Sequence, residues 1–283
     1  MVIERALEKL RQAGALQSAG GGPPVQPETR PPRDVRQAAP QPVLAQAIAG
    51  YPRVEVDPGA VAQHRIMIPG TSPDVNERAA AAYRMIRTRL RHLCRTENLQ
   101  TFAITSPAAD EGKSVTALNL ALSAARDPSQ TTFLLDLDLR NPSICKYLGV
   151  RPPRELVNYF RGEISAAEVF FTIGIPNLAI AGSCTPSEQA SELMSAGELE
   201  ALLIYIRGIS SNPLVLIDLP PVLVTDEALL VAPRVDATLL VVAEGKTRRD
   251  SLERAQKILA DFRCAGVILN GSTEPIESYY EYG

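Results

Sequence analysis

The chain has 283 residues, 45% hydrophobic and 22% charged, the balance of an ordinary globular protein. A net charge of −3 gives no global basis for nucleic acid or anionic membrane as partner. The four scattered cysteines (Cys94, Cys145, Cys184, Cys264), with only His64 and His92 beside them, make no zinc or disulfide framework.

In chain order, residues 1–13 place Val2, Ile3, Ala6, Leu7 and Leu10 at helical spacing, opposite Glu4, Arg5, Glu8 and Lys9. Such a short amphipathic helix needs a surface, on its own domain or on another protein. The opening is too charged for a signal peptide. No apolar run reaches the roughly 18 residues that span a bilayer, so any membrane role acts through a partner. Residues 14–73 turn to Pro, Gly, Gln and Ala and read as a linker, largely disordered, with an extended piece over 54–68. "NERAAAAYRMIRTRLRHLCR", 76–95, suits a helix capped by Asp74 or Asn76. Its excess of arginine (Arg84, Arg87, Arg89, Arg91, Arg95) leaves the cations without partners on their own helix. They therefore suit an acidic or phosphate-bearing partner, or a neighbouring subunit.

From residue 100 apolar strands (101–106, 131–139, 177–182, 213–219, 237–243, 265–270) alternate with helices near 113–126, 187–207, 225–233 and 247–262. That alternation predicts an α/β fold, a mostly parallel sheet flanked by helices on both faces.

"SPAADEGKS", 106–114, lies between the first of these strands and its helix, the context a P-loop requires. Gly112 lets the backbone approach a phosphate, Lys113 supplies an ammonium to β/γ-phosphates, and Ser114 offers a hydroxyl to Mg²⁺. The first glycine of the usual pattern is replaced by Pro107. Asp136 and Asp138 close the second strand, on one face of it, and Asp218 closes the fourth. Strand ends of an open α/β sheet converge on one crevice. Three carboxylates and a P-loop at that crevice point to a Mg²⁺-nucleotide site.

These motifs resemble the bacterial tyrosine kinases (BY-kinases) of capsule and exopolysaccharide export. The likeness runs through residues 75–283: "AYRMIRTRL", "SPAADEGKS" as Walker A, "LLDLDLRNP" as the A′ motif, "LVLIDLPPVLVTDEALL" as Walker B, then "VVAEGKTRRDSLERA" and "GVILNG". The opening and the proline-rich linker are similar to the exosortase-associated autokinase branch. The resemblance implies a P-loop kinase domain over 74–270 and a tyrosine-containing tail over 271–283, using ATP and Mg²⁺. It places Ser106, Glu111, Gly112, Lys113, Ser114, Val115 and Asn270 around the nucleotide, Asn270 near the adenine. It puts Ser114, Asp136 and Asp218 around the metal, and Lys113, Asp136, Asp138 and Arg140 in catalysis, Arg140 bracing the acids or approaching the transferring group. Ala109 and Asp110 stand where the family has Pro-Gly, and an acid there is expected to weaken ATP binding unless it points outward. Arg84 and Arg87 match oligomer contacts, but Ala81 replaces the ring-forming glutamate; a homo-oligomer is expected, with the ring left open.

Tyr279, Tyr280 and Tyr282 cluster beside Glu277 and Glu281 at the end of the sequence. Nine extended residues beyond the last strand span about 30 Å, enough to enter a neighbour's site. Trans-autophosphorylation of these tyrosines is the expected activity. A separate membrane chain-length regulator or co-polymerase is the implied activator of a cytoplasmic chain recruited to the inner face of the membrane. Two other readings stand beside it: a partitioning-type ATPase switch, whose second lysine is here Ala108, and a nucleotide-binding adaptor with weak catalysis.

Overall fold

The computed structural model describes residues 48–69, 77–195 and 197–272. Six apolar segments pair entirely in parallel: β1 Thr101–Thr105, β2 Thr131–Asp136, β3 Leu178–Ala181, β4 Pro213–Asp218, β5 Ala237–Ala243 and β6 Cys264–Asn270, in the order β3-β2-β4-β1-β5-β6. Side chains alternate across a strand, so each strand feeds two cores. Phe133, Leu135, Val215, Ile217 and Leu240 face one, and Leu134, Leu214, Leu216, Leu239 and Val241 face the other. Burial on both faces explains why these strands read as continuous apolar runs.

The second core is covered by α1 Pro58–Gln63, α2 Glu77–Glu97, α3 Lys113–Ala124 and α4 Ile144–Leu148. The first is covered by α5 Leu156–Phe160, α6 Ala190–Ser195, α7 Glu198–Ile209, α8 Glu227–Val231 and α9 Arg249–Ile258. Two expected elements change. The single helix near 187–207 is two, separated around Gly197, whose φ of 91° ends one helical path and caps the next. The second strand stops at Asp136 rather than 139, because that carboxylate accepts the amides of Ser143 and Ile144, each at 2.9 Å, and turns the chain into α4. Among the described residues no helix is long and apolar enough to cross a membrane.

The expected linker needs correcting over 48–69, which packs onto the domain. Ile48, Val61, Ile66 and Ile68 are buried, and Arg53 bridges Thr172 as an added strand contact. The His64 ring stacks on Tyr147 of α4 at 4.4 Å. Asn119, on the phosphate-loop helix α3, accepts the Met67 amide at 2.8 Å and donates to the Arg65 carbonyl at 3.2 Å. A few well-spaced apolar residues and one polar clasp thus anchor a stretch whose composition looks like linker. The N-terminal helix (1–13), the rest of the linker and residues 273–283 lie outside the described residues.

Asn119→Ala leaves the Met67 amide without its acceptor, at an expected cost of about 1–3 kcal/mol. Urea denaturation should show the unfolding free energy fall by that amount, as a lower midpoint with little change in slope; an unchanged midpoint would mean that this clasp adds nothing to domain stability.

Candidate active site

The loop after β1 is held from outside itself. Gly112 opens α3 with φ 84°, and a Cβ there would lie 1.9 Å from Asn270 Nδ2. Asn270, at the end of β6, donates from that nitrogen to the Glu111 carbonyl at 3.0 Å. The Glu111 side chain is buried; it accepts the Thr247 hydroxyl at 2.6 Å and the Ala108 amide at 3.2 Å. Ser106 Oγ donates to the Ala108 carbonyl at 2.7 Å. Asp110 adopts φ 56°, a left-handed conformation that aspartate tolerates better than most residues. The residue is exposed, and its carbonyl accepts Lys246 Nζ at 2.7 Å. Ser106 and Glu111, expected at the nucleotide, therefore brace the loop. Asn270 does the same from the far edge of the sheet. Val115 is half-buried against the second core.

Beside the loop, strand register dictates the chemistry. Asp136 and Asp218 are directly paired across β2 and β4, so sheet formation sets two carboxylates side by side, both fully buried. Lys113 Nζ lies 2.7 Å from Asp138 Oδ2, 3.8 Å from Asp218 Oδ1 and 3.2 Å from Ser114 Oγ. Burial alone would lower the lysine's pKa, but the charges of Asp218 and Asp138 hold it above the ordinary value. Burial pushes the Asp136 carboxyl up, and the neighbouring Asp218 charge adds to it. Burial also raises Asp218, against the opposing pull of Lys113 and Ser114.

The three aspartates differ in what they have left to offer. Asp136 Oδ2 takes the Ser143 and Ile144 amides and its Oδ1 the Asp138 amide at 3.3 Å, so it serves as a cap on α4 more than as an open ligand. Asp138 Oδ1 accepts the Asn141 amide at 3.1 Å, and its Oδ2 faces Lys113. Neither oxygen of Asp218 has a hydrogen bond within ordinary length. A fully buried carboxylate so poorly paired is costly unless a cation joins it. Ser114 and Asp218 thus suit a divalent cation that takes its other oxygens from phosphate and water, as Mg²⁺ does. Among the described residues no three His, Cys, Asp or Glu side chains form a protein-only metal cage. First-turn amides of α3, which have no acceptor within the helix, suit the phosphates.

Of the two roles expected of Arg140, bracing the aspartates is not seen: its Nε donates to buried Glu227 at 2.5 Å and its Nη2 to Ser191 at 3.2 Å, tying the A′ loop to α8 and α6. Arg87 is also internally engaged, donating to the Ser123 carbonyl at 3.0 Å, and Arg91 pairs with Asp127 at 2.9 Å. Arg84 is exposed. The partners that the α2 arginines lack on their own helix are supplied in part by the end of α3 and the turn after it. Glu227, Ser191, Lys246 and Thr247 carry roles that the sequence reading did not assign. The only prior signal for the last two was the Gly-Lys-Thr of "AEGKTRR" at the end of β5.

Gly112→Ala is expected to weaken nucleotide binding at least tenfold, since the methyl meets Asn270 and the left-handed backbone costs about 1–2 kcal/mol more; calorimetric titration checks it. Asp218→Asn removes a poorly paired buried charge and should raise the ligand-free Tm at neutral pH by a few degrees, about 2–4 °C per kcal/mol. Because folding raises this pKa, wild-type Asp218 is destabilising above its unfolded value and progressively neutral below its folded one. The Tm advantage of the variant should therefore shrink as pH falls.

No family model matches the chain. Tyrosine-protein kinase CpsD of Streptococcus agalactiae is 28% identical over 184 residues, 64% of this chain and 79% of that protein. Tyrosine-protein kinase YwqD of Bacillus subtilis is 27% identical over 203 residues, 71% of this chain and 84% of its relative. The kinase domain of Escherichia coli tyrosine kinase ETK superposes with a TM-score of 0.63 at 25% identity, covering 72% of this chain and 79% of that one. The VpsO kinase domain gives a TM-score of 0.60 at 28% identity, covering 69% and 95%. With the phosphate loop, the lysine and the aspartate cluster in one crevice, the chain is similar in sequence and in fold to bacterial tyrosine kinases built on the P-loop NTPase fold.

Proposed function

We propose that the chain is an ATP-dependent tyrosine autokinase that phosphorylates Tyr279, Tyr280 and Tyr282 of another copy and so regulates exopolysaccharide or capsule synthesis and export. The observation that carries this reading is the buried cluster in which Lys113 faces Asp138 and Asp218 beside the phosphate loop.

Lys113 and the first-turn amides of α3 bind the β- and γ-phosphates, and Ser114 with Asp218 holds Mg²⁺. The ion, when bound, neutralises charge on the phosphoryl oxygens. Asp138 is the better base of the A′ pair, because Asp136 is committed to three backbone amides. Lys113 has two alternative anionic partners, Asp138 and the incoming phosphate; when it turns to phosphate, Asp138 Oδ2 is free to receive a proton. The phenol oxygen attacks the γ-phosphorus and its proton passes to Asp138. The bond from γ-phosphorus to the bridging oxygen breaks, and ADP leaves with the electron pair. Phosphoryl transfer depends chiefly on positioning and charge neutralisation, so an ordinary carboxylate serves.

A separate membrane chain-length regulator recruits the chain to the inner face of the membrane, its cytoplasmic tail docking on the N-terminal helix or on the arginine-rich α2. The partitioning-type ATPase reading lacks its second lysine, since position 108 is alanine.

Lys113→Met and Asp138→Asn should each lower tail phosphotyrosine by a factor of about 10² or more, read by mass spectrometry after incubation with Mg²⁺-ATP. Undiminished tail phosphorylation in both purified variants would falsify the assignment.

A further inference from the structure

The clasp between Arg140 and Glu227 takes no part in the chemistry above, and it is built at a cost. Glu227 is fully buried, yet its hydrogen bonds fall on Oε1 alone; Oε2 has no partner within ordinary length. Burying a carboxylate so incompletely paired opposes folding. The other buried residues of α8, Ala228 and Val231, are apolar. Exchanging a buried ion pair for apolar side chains is often neutral or stabilising, so stability gives no reason for an acid at 227. What the acid does provide is a fixed position for its partner.

That partner stands on the loop that carries Asp138. Glu227 Oε1 holds the guanidinium at Nε, 2.5 Å away, and Ser191 Oγ holds it at Nη2, 3.2 Å away. Ser191 Oγ itself lies 2.8 Å from Asp226 Oδ1 and 3.1 Å from Glu227 Oε1. Only Leu139 separates Arg140 from Asp138, and the Leu139 carbonyl accepts the Ser187 amide at 2.7 Å. The turn then closes on the aspartate itself. The Asn141 amide meets the Asp138 carbonyl at 3.0 Å and Asp138 Oδ1 at 3.1 Å. Fixing Arg140 thus fixes the next amide, that amide orients Oδ1, and Oδ2 is left facing Lys113 at 2.7 Å. The other end of the clasp leads to the second acid. Glu227 follows Asp218 by nine residues, and the loop between them is tied to the phosphate loop, where the Val222 amide donates to the Ser106 carbonyl at 2.9 Å.

We propose that Glu227 is a positioning residue for phosphoryl transfer: by holding Arg140 it sets the Asp138 carboxylate against Lys113 and keeps the loops after β2 and β4 in a fixed relation. This deepens the autokinase reading and rests on it, since there Asp138 receives the phenol proton.

The test compares Glu227→Leu with Glu227→Gln in the full chain. Leucine removes the acceptor, and Arg140, whose side chain is 42% exposed, can turn to water, so no charge is stranded. Glutamine keeps an oxygen for Arg140 Nε. Without nucleotide, hydrogen exchange read by NMR should show the Asn141 amide exchanging about tenfold faster in the leucine variant, with β2 and β4 amides unchanged. With Mg²⁺-ATP, its kcat for tail phosphorylation should fall about tenfold or more, with the KM for ATP and the Tm close to wild type. Glutamine should recover most of that loss. In an Asp138→Asn chain, Glu227→Leu should lower kcat no further, because the group it positions is gone. Unchanged Asn141 exchange overturns the proposal, as does an equal kcat loss in the Asp138→Asn chain. A kcat loss matched by the KM for ATP and the Tm also overturns it, because that pattern marks a merely structural role. The double exchange R140M/E227L replaces the pair by apolar side chains and should show the same faster Asn141 exchange, which keeps the test open if the single variant does not fold. The exchange arm needs no catalysis. Faster Asn141 exchange in a protein whose wild type phosphorylates no tail would keep the positioning of Asp138 and remove the kinase reading.

Discussion

The structure depends on one constraint: three carboxylates and one ammonium share a nearly dry crevice at the carboxyl edge of a parallel sheet. Pairing β2 with β4 cannot bury their apolar residues without also setting Asp136 opposite Asp218. Burial raises both pKa values, and a neighbouring carboxylate adds to each, Asp218 to Asp136 and Asp138 to Asp218. The cluster is tolerable because each acid has its own relief. Asp136 is shielded by backbone amides, Asp138 meets Lys113, and Asp218 has the more distant lysine and Ser114. The least satisfied acid is the one best placed for a divalent cation. Stability and function are opposed at this residue, which is expected of a site built to neutralise the charge of a phosphate ligand.

The phosphate loop shows how a rule can be broken at one residue and met by others. Without the usual first glycine, its shape is imposed by contacts from β5 and β6. Thr247 holds the Glu111 side chain, Lys246 holds the Asp110 carbonyl, and Asn270 holds the Glu111 carbonyl while closing over Gly112. Only glycine fits at 112, for steric and backbone reasons together. The left-handed turn required at 110 is met by aspartate, whose peptide is fixed by Lys246. The charge at 110 therefore lies on an exposed residue of the loop, compatible with the outward placement that a phosphate site needs.

The segment 48–69 extends the same logic away from the crevice. It touches α3 through Asn119 and α4 through His64 on Tyr147. Those are the two helices whose N-termini flank Lys113 and receive Asp136. A stretch with linker composition thus supports the elements that carry the site. Its contribution was illegible because Pro and Gln dominate the surrounding composition, and the anchoring residues are few and far apart.

Much of the molecule was legible because local chemistry leaves little choice. Apolar runs of strand length separated by helical patterns admit a parallel sheet, and acids closing such strands must meet at its edge. Asp136, Asp138 and Asp218 were identifiable on those grounds, and Lys113 and Ser114 from the Gly-Lys-Ser of the loop between the first strand and its helix. What the sequence could not supply was the partner of each side chain. Arg140 stands next to the acidic motif in sequence, yet in space it binds Glu227, 87 residues away. Glu111 lies within the phosphate loop, yet its carboxylate serves Thr247. Asn270 grips the loop from the far side of the sheet. Periodicity and motif order therefore determined the fold and which residues gather at its crevice, because burial and strand alternation act on near neighbours. Tertiary structure alone decided which acid is capped, which is paired and which is left for a cation, because those roles depend on register and crossovers that bring distant residues within hydrogen-bond length.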